Sequence, residues 1–563
     1  MTRPARVSLA DSAALLLSLM AVLAGYLVGE RVFENLAHIE DEQAYVWQAQ
    51  AIAGGRLTLP TPPGQKSFLV PFVIDYHGQR FGKYPLGWPV LLAIGIRLGA
   101  RSLVNPLLAG LGVWLTYLLG KRVFGEAVGL LAAVLTLTSP FFLMNAGSLL
   151  SHPLGLALSA AFALAWLEAF TPAPATAAEA ASEDRFEIYK PWLATIAAGA
   201  ALGMMALTRP LSAVGLALPF GLHGLYLLVW GKPGIAPSVR IRLLTVGLIA
   251  ILMVSLHFAW QYAVTGDPFV NPYTLWWEYD RIGFGPGYGV TAEGHSLDQA
   301  WVNTRHSLWV GGRDLFGWGS HSWIFLPFGL LAVLFLYFRP RDLGILLRSG
   351  RDCLPALLLA GAPLSLGTVY LAYWIGSSLF GPRYFFESLY SLTIFSAAGI
   401  ALLAGWSTRP GSQLALKSGW YGSWHRTISE GFQNMRPLWV TALVGLLVAL
   451  NLVFYTPLRL RGMFGLYDVQ RSHLLPFQSA SVQQYTPALI IVHPAEDWIE
   501  YGRLLELQTP FLDTPFIFII SRGAVVDNQV AAQFPERRVY HYFPSDPYTF
   551  YIVLVDSLAP HSP

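Results

Sequence analysis

The sequence predicts a polytopic α-helical membrane protein of about eleven transmembrane helices, with interfacial helices in its first outer loop and a small α/β domain at its carboxy end. Three observations predict it. Of 563 residues, 54% are hydrophobic and only 12% charged, half the charge of an ordinary soluble chain. Apolar runs near the roughly 20 residues that span a bilayer recur along the first 455 positions. The last hundred residues break that pattern with short β-branched runs.

Taken in order, the first span runs from about Leu9 to Phe33, preceded by Arg3 and Arg6. It is long for a signal peptide and lacks a small-x-small cleavage site, so it reads as a retained anchor with a cytoplasmic amino terminus. Further spans are expected near 103–120, 127–145, 153–170, 191–207, 210–230, 243–263, 321–338, 353–375, 385–405 and 437–455. The segment 85–99 is short, carries Pro85 and Pro89, and ends near Arg97 and Arg101. The positive-inside rule decides its placement. If it lies along the interface, Lys121/Arg122, Lys232/Arg240/Arg242, Arg339/Arg341/Arg348/Arg351 and Arg409/Lys417/Arg426/Arg436 all fall on the cytoplasmic side. If it crosses, every cluster moves outside. The interfacial reading follows.

That topology puts the first outer loop (34–102), the turn around His152, the loop 265–320 and everything after about 456 on the outer face, with the protein in the cell (inner) membrane. Loop 171–190 reads as a low-complexity cytoplasmic linker. Residues 1–456 form the membrane unit. In 457–563, apolar runs at Ala488–His493, Phe516–Ser521, Arg537–Tyr542 and Tyr548–Asp556, with a helix expected at Pro494–Gln508, predict a separate α/β domain.

The net charge of +3 gives no ground for a nucleic-acid partner, and a single cysteine, Cys353, excludes an intrachain disulfide or Cys-based zinc site. Function is sought instead at Glu40-Asp41-Glu42, directly after the first span. An acid at mid-bilayer costs roughly 2.5–3.5 kcal/mol, so this cluster belongs at a water-facing rim. Glu40 or Asp41 can cap a helix ending at Gly54-Gly55, an amphipathic helix on the membrane with Asp41, Tyr45 and Gln48 on one face. The plain alternative is acids that only solvate a loop or favour a helix start.

The combination D-E-Q-A-Y (41–45), A-x-x-x-x-G-G, F-G-K-Y-P (81–85) and, more loosely, T-S-P (138–140) and G-P-R-Y (381–384) resembles the GT-C integral-membrane glycosyltransferases. Family 39 protein mannosyltransferases and bacterial lipid A aminoarabinose transferases are the nearest likeness, over about 1–405. The resemblance implies transfer of a sugar from a polyprenyl-phosphate donor to an acceptor hydroxyl on lipid, protein or glycan, with inversion. A carboxylate then serves as base and cations stabilise the departing phosphate. By motif match Asp41 is the expected base and Glu42 a supporting or alternative acid. Lys83 is the first phosphate candidate, with a snorkelling interfacial lysine as its alternative. Arg383 and, more weakly, Arg209 in T-R-P are further phosphate candidates. Tyr45, Tyr84 and Tyr384 flank these residues and join the candidate substrate contacts.

His152 stands where related transferases often carry an acid, which puts a second catalytic carboxylate there in doubt; it is kept as a candidate contact. Loop 265–320 holds G-F-G-P-G-Y-G (283–289), which lacks the strand-to-helix setting of a nucleotide fingerprint. It reads as a mobile lid with Trp276, Trp277 and Tyr288 as candidate sugar or lipid contacts. His38, His295, His306 and His321 show no ligand spacing, so no metal or other cofactor is expected from them. Oligosaccharyl-type relatives need a divalent ion and show acid-x-acid, which Glu40-Asp41-Glu42 contains, so a divalent cation stays open. The rival reading is a transporter or lipid flippase, which calls for internal repeats and ionisable residues within spans. Charges clustered at one rim favour an enzyme. A ligase of lipid-linked glycans shares the enzyme class.

Overall fold

The computed structural model describes residues 8–171, 185–230, 237–337, 353–377, 379–406, 428–548 and 550–552. The linker at 172–184, the basic residues Lys232, Arg339, Arg341, Arg348, Arg351, Arg409, Lys417 and Arg426, and the end of the last expected strand lie outside them.

Among the described residues, eight helices are long and apolar enough to cross a membrane, or ten if two bent pairs each count as one span. The chain is a multi-pass membrane protein. Helix α1 (Leu9–Arg31) starts on a reciprocal Ser8–Asp11 capping box. The short α2 (Glu40–Ala53) and α3 (Gly87–Arg97) follow. At 11 residues α3 is too short to cross. It buries Trp88 and Leu92 while turning Val90, Ile94 and Leu98 outward, as an interfacial helix would.

Helix α4 (Val104–Phe124) descends, and α5 (Glu126–Leu137) with α6 (Pro140–Gly147) returns as a pair bent by 61°. The expected straight span 127–145 is thus broken. Pro140 cannot continue α5, and Ser139 caps the new helix by accepting the Phe142 amide. Helices α7 (His152–Phe170), α8 (Arg185–Thr208), α9 (Pro210–Val229) and α10 (Pro237–Thr265) complete the first block.

The stretch read as a lid, 265–320, contains regular structure. It holds a short α11 (Pro272–Trp276) and the 18-residue α12 (Leu297–Asp314), capped by Ser296. Helix α12 is the first arm of a pair bent by 110°, whose second arm, Gly319–Leu334, includes most of α13 (Leu326–Tyr337). The seventeen-residue α14 (Leu354–Tyr370), α15 (Leu389–Ala404) and α16 (Ile428–Leu450) close the bundle. Helices α13 and α15 touch backbone to backbone. A Cβ at Gly329 would lie 1.8 Å from the Phe395 carbonyl and one at Gly399 2.1 Å from that of Phe325, the close approach that small residues permit between membrane helices.

Two sheets lie at the end of the bundle where α1 and α8 finish and α7, α9 and α15 begin. Strands β1 (Leu59–Pro60), β2 (Val73–Tyr76) and β3 (Gln79–Gly82) form a small antiparallel sheet in order β1-β3-β2 that delivers Lys83 and Tyr84. The second, in order β5-β4-β6-β7, uses β4 (Ala488–Val492), β5 (Phe516–Ile520), β6 (Arg538–Tyr542) and β7 (Phe550–Ile552). Strands β5, β4 and β6 are parallel, and β4 and β5 are buried throughout, as a parallel sheet covered on both faces requires. Where one helix was expected at Pro494–Gln508, a helical turn Ile499–Gly502 runs into 3₁₀ geometry to Leu507.

This α/β unit sits on α2. Trp47 and Ala51 join the core of Tyr501 and Leu504, Gln43 donates to the Gly502 carbonyl, and Arg101 pairs with Glu506 at 2.7 Å. Helix α2 therefore does not float on a membrane as an isolated amphipathic helix. It is held between the bundle and the carboxy-terminal unit.

Candidate active site

The site is built from the first turn of α2. Ile39 is its extended N-cap residue and cannot accept a hydrogen bond through its side chain. Glu42, three positions on, folds back in place of Glu40 or Asp41. Its Oε2 accepts the amides of His38 (2.8 Å) and Ile39 (3.3 Å), and its Oε1 accepts that of Leu149 (2.7 Å) in the turn before α7. Both oxygens are thereby engaged with backbone. Glu42 is 1% exposed, and burial pushes its carboxyl up to about 7.

One residue earlier on the helix, Asp41 points elsewhere. Its Oδ1 accepts the Tyr84 hydroxyl, and its Oδ2 accepts Arg383 Nη2 at 3.2 Å. Burial alone would raise this carboxyl. The charges of Arg383 and Lys83 and the Tyr84 hydroxyl reverse that and hold it below the usual carboxylate value. The predicted face of α2 does grip Tyr84. The Tyr45 ring lies 4.4 Å from the Tyr84 ring, and Gln48 Nε2 donates to the Tyr84 carbonyl at 2.9 Å. Burial and the neighbouring Asp41 push the Tyr84 phenol far above its ordinary value, so it stays a donor.

Lys83 does not snorkel. It is 3% exposed, with Nζ 3.5 Å from the Phe72 ring centroid, 4.9 Å from Tyr273, 5.1 Å from Trp277 and 5.3 Å from Tyr84. This cation–π cage is closed by Asp280, whose Oδ2 lies 3.5 Å from Nζ and whose Oδ1 accepts Tyr373 and Trp374. Burial lowers the Lys83 ammonium, partly offset by Asp280 and Asp41. Trp276, the expected contact, packs edge-on against Phe72 at 5.7 Å, and its neighbour Trp277 forms the cage wall. Of glycines 283–289, three have their amides engaged by backbone. The amides of Gly283, Gly285 and Gly289 donate to the carbonyls of Ala372, His295 and Tyr279.

A second cluster joins from α7, α9 and the turn before α15. Arg209 Nε lies 2.8 Å from Glu387 Oε1, Nη1 donates to Ser151 Oγ (3.2 Å) and Nη2 to the Tyr370 hydroxyl (3.2 Å). His152 Nδ1 reaches the same Glu387 oxygen at 3.0 Å. The Tyr45 hydroxyl meets Ser151 Oγ at 3.3 Å, linking this cluster to α2. Tyr384 stacks on Tyr370, ring centroids 5.0 Å apart and 6° from parallel, with Arg383 and Arg209 5.6 and 5.8 Å from its ring.

Asp41, Tyr45, Tyr84, Lys83, Arg209, His152, Arg383 and Tyr384 thus converge on one end of the bundle, while Glu42 turns its carboxylate to the backbone. The three cations each face a carboxylate: Arg383 with Asp41, Arg209 with Glu387, Lys83 with Asp280. Sequence reasoning missed Glu387, Asp280, Tyr273 and Tyr370. Glu387 carried a signal, an acid at the mouth of an apolar run four residues after Arg383, where an ionisable group is expensive and seldom idle. Among the described residues no three His, Cys, Asp or Glu side chains converge as metal ligands.

No protein-family model and no curated protein matches the chain. Solved structures do. The chain is similar to ArnT from Cupriavidus metallidurans bound to undecaprenyl phosphate, at 13% identity and TM-score 0.51, over 93% of this chain and 89% of that one. The apo state of the same protein gives 14%, 0.51, 94% and 90%. It is also similar to the Archaeoglobus fulgidus oligosaccharyltransferase AglB in complex with an inhibitory peptide and a dolichol-phosphate, at 13% identity and TM-score 0.44, over 94% and 69%. The likeness to ArnT shows the fold that this chain shares.

Proposed function

We propose that this protein is a membrane glycosyltransferase that moves a sugar from a polyprenyl-phosphate donor to an acceptor hydroxyl, with inversion. The observation that carries the reading is Asp41, a partly exposed carboxylate held by Arg383 and Tyr84 in the field of Lys83, with Arg383 and Arg209 both against the Tyr384 ring, at one end of a GT-C fold. ArnT, whose fold this chain shares, binds undecaprenyl phosphate.

In the reaction the acceptor oxygen gives its proton to Asp41 and attacks the anomeric carbon from the face opposite the phosphate. The bond between that carbon and the phosphate oxygen breaks, and polyprenyl phosphate departs with the electron pair. A phosphate is already a good leaving group, so the residues have two tasks. Asp41 deprotonates the acceptor, worth about 10²–10⁴-fold. Arg383, Arg209 and Lys83 stabilise charge on the departing phosphate. Arriving phosphate competes with Asp41 for Arg383, which frees the carboxylate to act as base. Glu42 is assigned the placement of Asp41, through the backbone it fastens. Tyr45, Tyr84 and Tyr384 line the sugar path. The phosphate partners are cationic side chains, so no metal is assigned to them.

The site faces away from the cytoplasm of the cell (inner) membrane, with the amino terminus inside and the carboxy-terminal unit outside. The acceptor is a lipid, protein or glycan hydroxyl. The test is transfer of labelled sugar from synthetic polyprenyl-phosphate donors to membrane acceptors by the purified protein. No transfer from any such donor overturns the reading.

A further inference from the structure

We propose that Glu387 is a positioning residue that aims Arg209 at the donor phosphate. The inference rests on the transferase reading and assigns a residue that the sequence motifs do not reach. Glu387 is fully buried at the mouth of an apolar segment, where an ionised carboxylate costs several kcal/mol unless it is well paired. Its pairing is poor by that standard. One oxygen, Oε1, is shared by Arg209 Nε (2.8 Å) and His152 Nδ1 (3.0 Å), while Oε2 is buried without a hydrogen-bond partner.

An ion pair that served stability alone would engage the arginine fork through two parallel hydrogen bonds. Here a single carboxylate oxygen approaches the guanidinium, as an ion pair at Nε, which itself donates to Ser212 Oγ at 3.4 Å. The two terminal nitrogens are left to neutral, displaceable hydroxyls, Ser151 Oγ and Tyr370 OH. The guanidinium is thus held from behind with its charged face toward Tyr384, the neighbour of Arg383. Such an arrangement pre-orients a bidentate anion ligand at the expense of the pair's own strength. The helix opposite makes room for it, since a Cβ at Gly155 would come within 2.7 Å of Glu387 Cγ. His152 contributes a second contact to the same oxygen and so holds the carboxylate against rotation.

The experiment measures binding of undecaprenyl phosphate to the purified full chain in detergent, for wild type, Glu387→Gln, Arg209→Gln and the double variant. Glu387→Gln is expected to weaken binding about tenfold or more, and to add nothing in the Arg209→Gln background, because it acts only through that arginine. Undiminished affinity in Glu387→Gln, or an equal loss in both backgrounds, overturns the inference and leaves the transferase reading standing. A wild type that does not bind the lipid overturns the transferase reading itself. Should Glu387→Gln aggregate, Glu387→Asp keeps the charge but withdraws it by one methylene. It is then expected to weaken binding while remaining monodisperse, and unchanged affinity in Glu387→Asp counts against the inference in the same way.

Discussion

Asp41 and Arg383, 342 residues apart in the chain, meet at 3.2 Å. The contact joins the first turn of α2 to the turn before α15, and it sets the protonation of the proposed base. Removing the cation as Arg383→Gln should raise the Asp41 carboxyl. A base works only when unprotonated, so the acid limb of kcat/KM should move to higher pH. Residual transfer should fall about 10²–10³-fold at neutral pH, the size of a lost electrostatic donor. A pH–rate profile of the variant checks both. An acid limb at the wild-type position would show that Arg383 does not govern Asp41.

Glu42 makes an opposite prediction about stability. Its folded value of about 7 stands above the ordinary 4.5, so between those values the folded chain binds more protons than the unfolded one. Stability from this group is full below about 4.5 and declines as pH rises to about 7. Glu42→Gln, neutral throughout, should be destabilised at pH 5, and that deficit should shrink by about 3 kcal/mol by pH 8. Thermal unfolding in detergent across that range reads it. A deficit that grows with pH would mean the three backbone amides outweigh burial.

The Lys83 cage separates folding from binding. Lys83→Met leaves Asp280, 4% exposed, as an uncompensated buried charge, which costs about 3–5 kcal/mol. Adding Asp280→Asn should restore most of the lost stability but none of the lost affinity for polyprenyl phosphate. Melting curves and lipid binding on the single and double variants give the comparison. Recovery of both would make Lys83 a structural residue only.

The α13–α15 contact predicts a purely structural defect. Gly329→Ala places a methyl 1.8 Å from the Phe395 carbonyl, and backbone cannot yield as a flexible side chain would. A loss of about 1–3 kcal/mol or more is expected from such overpacking, measured as a lower unfolding midpoint.

Much of this was legible in the sequence for a physical reason. Apolar runs report local burial, so the spans, the short α3 and the strands near 488, 516 and 538 can be read one segment at a time. Asp41, Lys83 and Arg383 were legible because short motifs kept their order along the chain. Contacts across 197 residues, as between Lys83 and Asp280, or 235, as between His152 and Glu387, leave no local periodicity to read. One difference between expectation and structure has the same root. Helix α2 was read as lying on a membrane because the unit that covers its other side comes over four hundred residues later. Within 265–320 the glycines draw attention from α12, whose Ser296 cap and apolar residues Leu297, Trp301 and Leu308 mark a helix. The bend at Ser139-Pro140 was visible, and only its consequence for the span was missed.

The carboxylate of Asp41 is the centre of the proposed chemistry. The direct measurement is kcat/KM for sugar transfer from a polyprenyl-phosphate donor by wild type and Asp41→Asn, with lipid-phosphate binding measured on the same samples. With Asp41 as base, transfer by the variant is expected to fall at least about 10²-fold, with undecaprenyl phosphate bound as tightly as by wild type or tighter, since Arg383 no longer has a competing anion. Transfer by Asp41→Asn within a few fold of wild type would contradict that role.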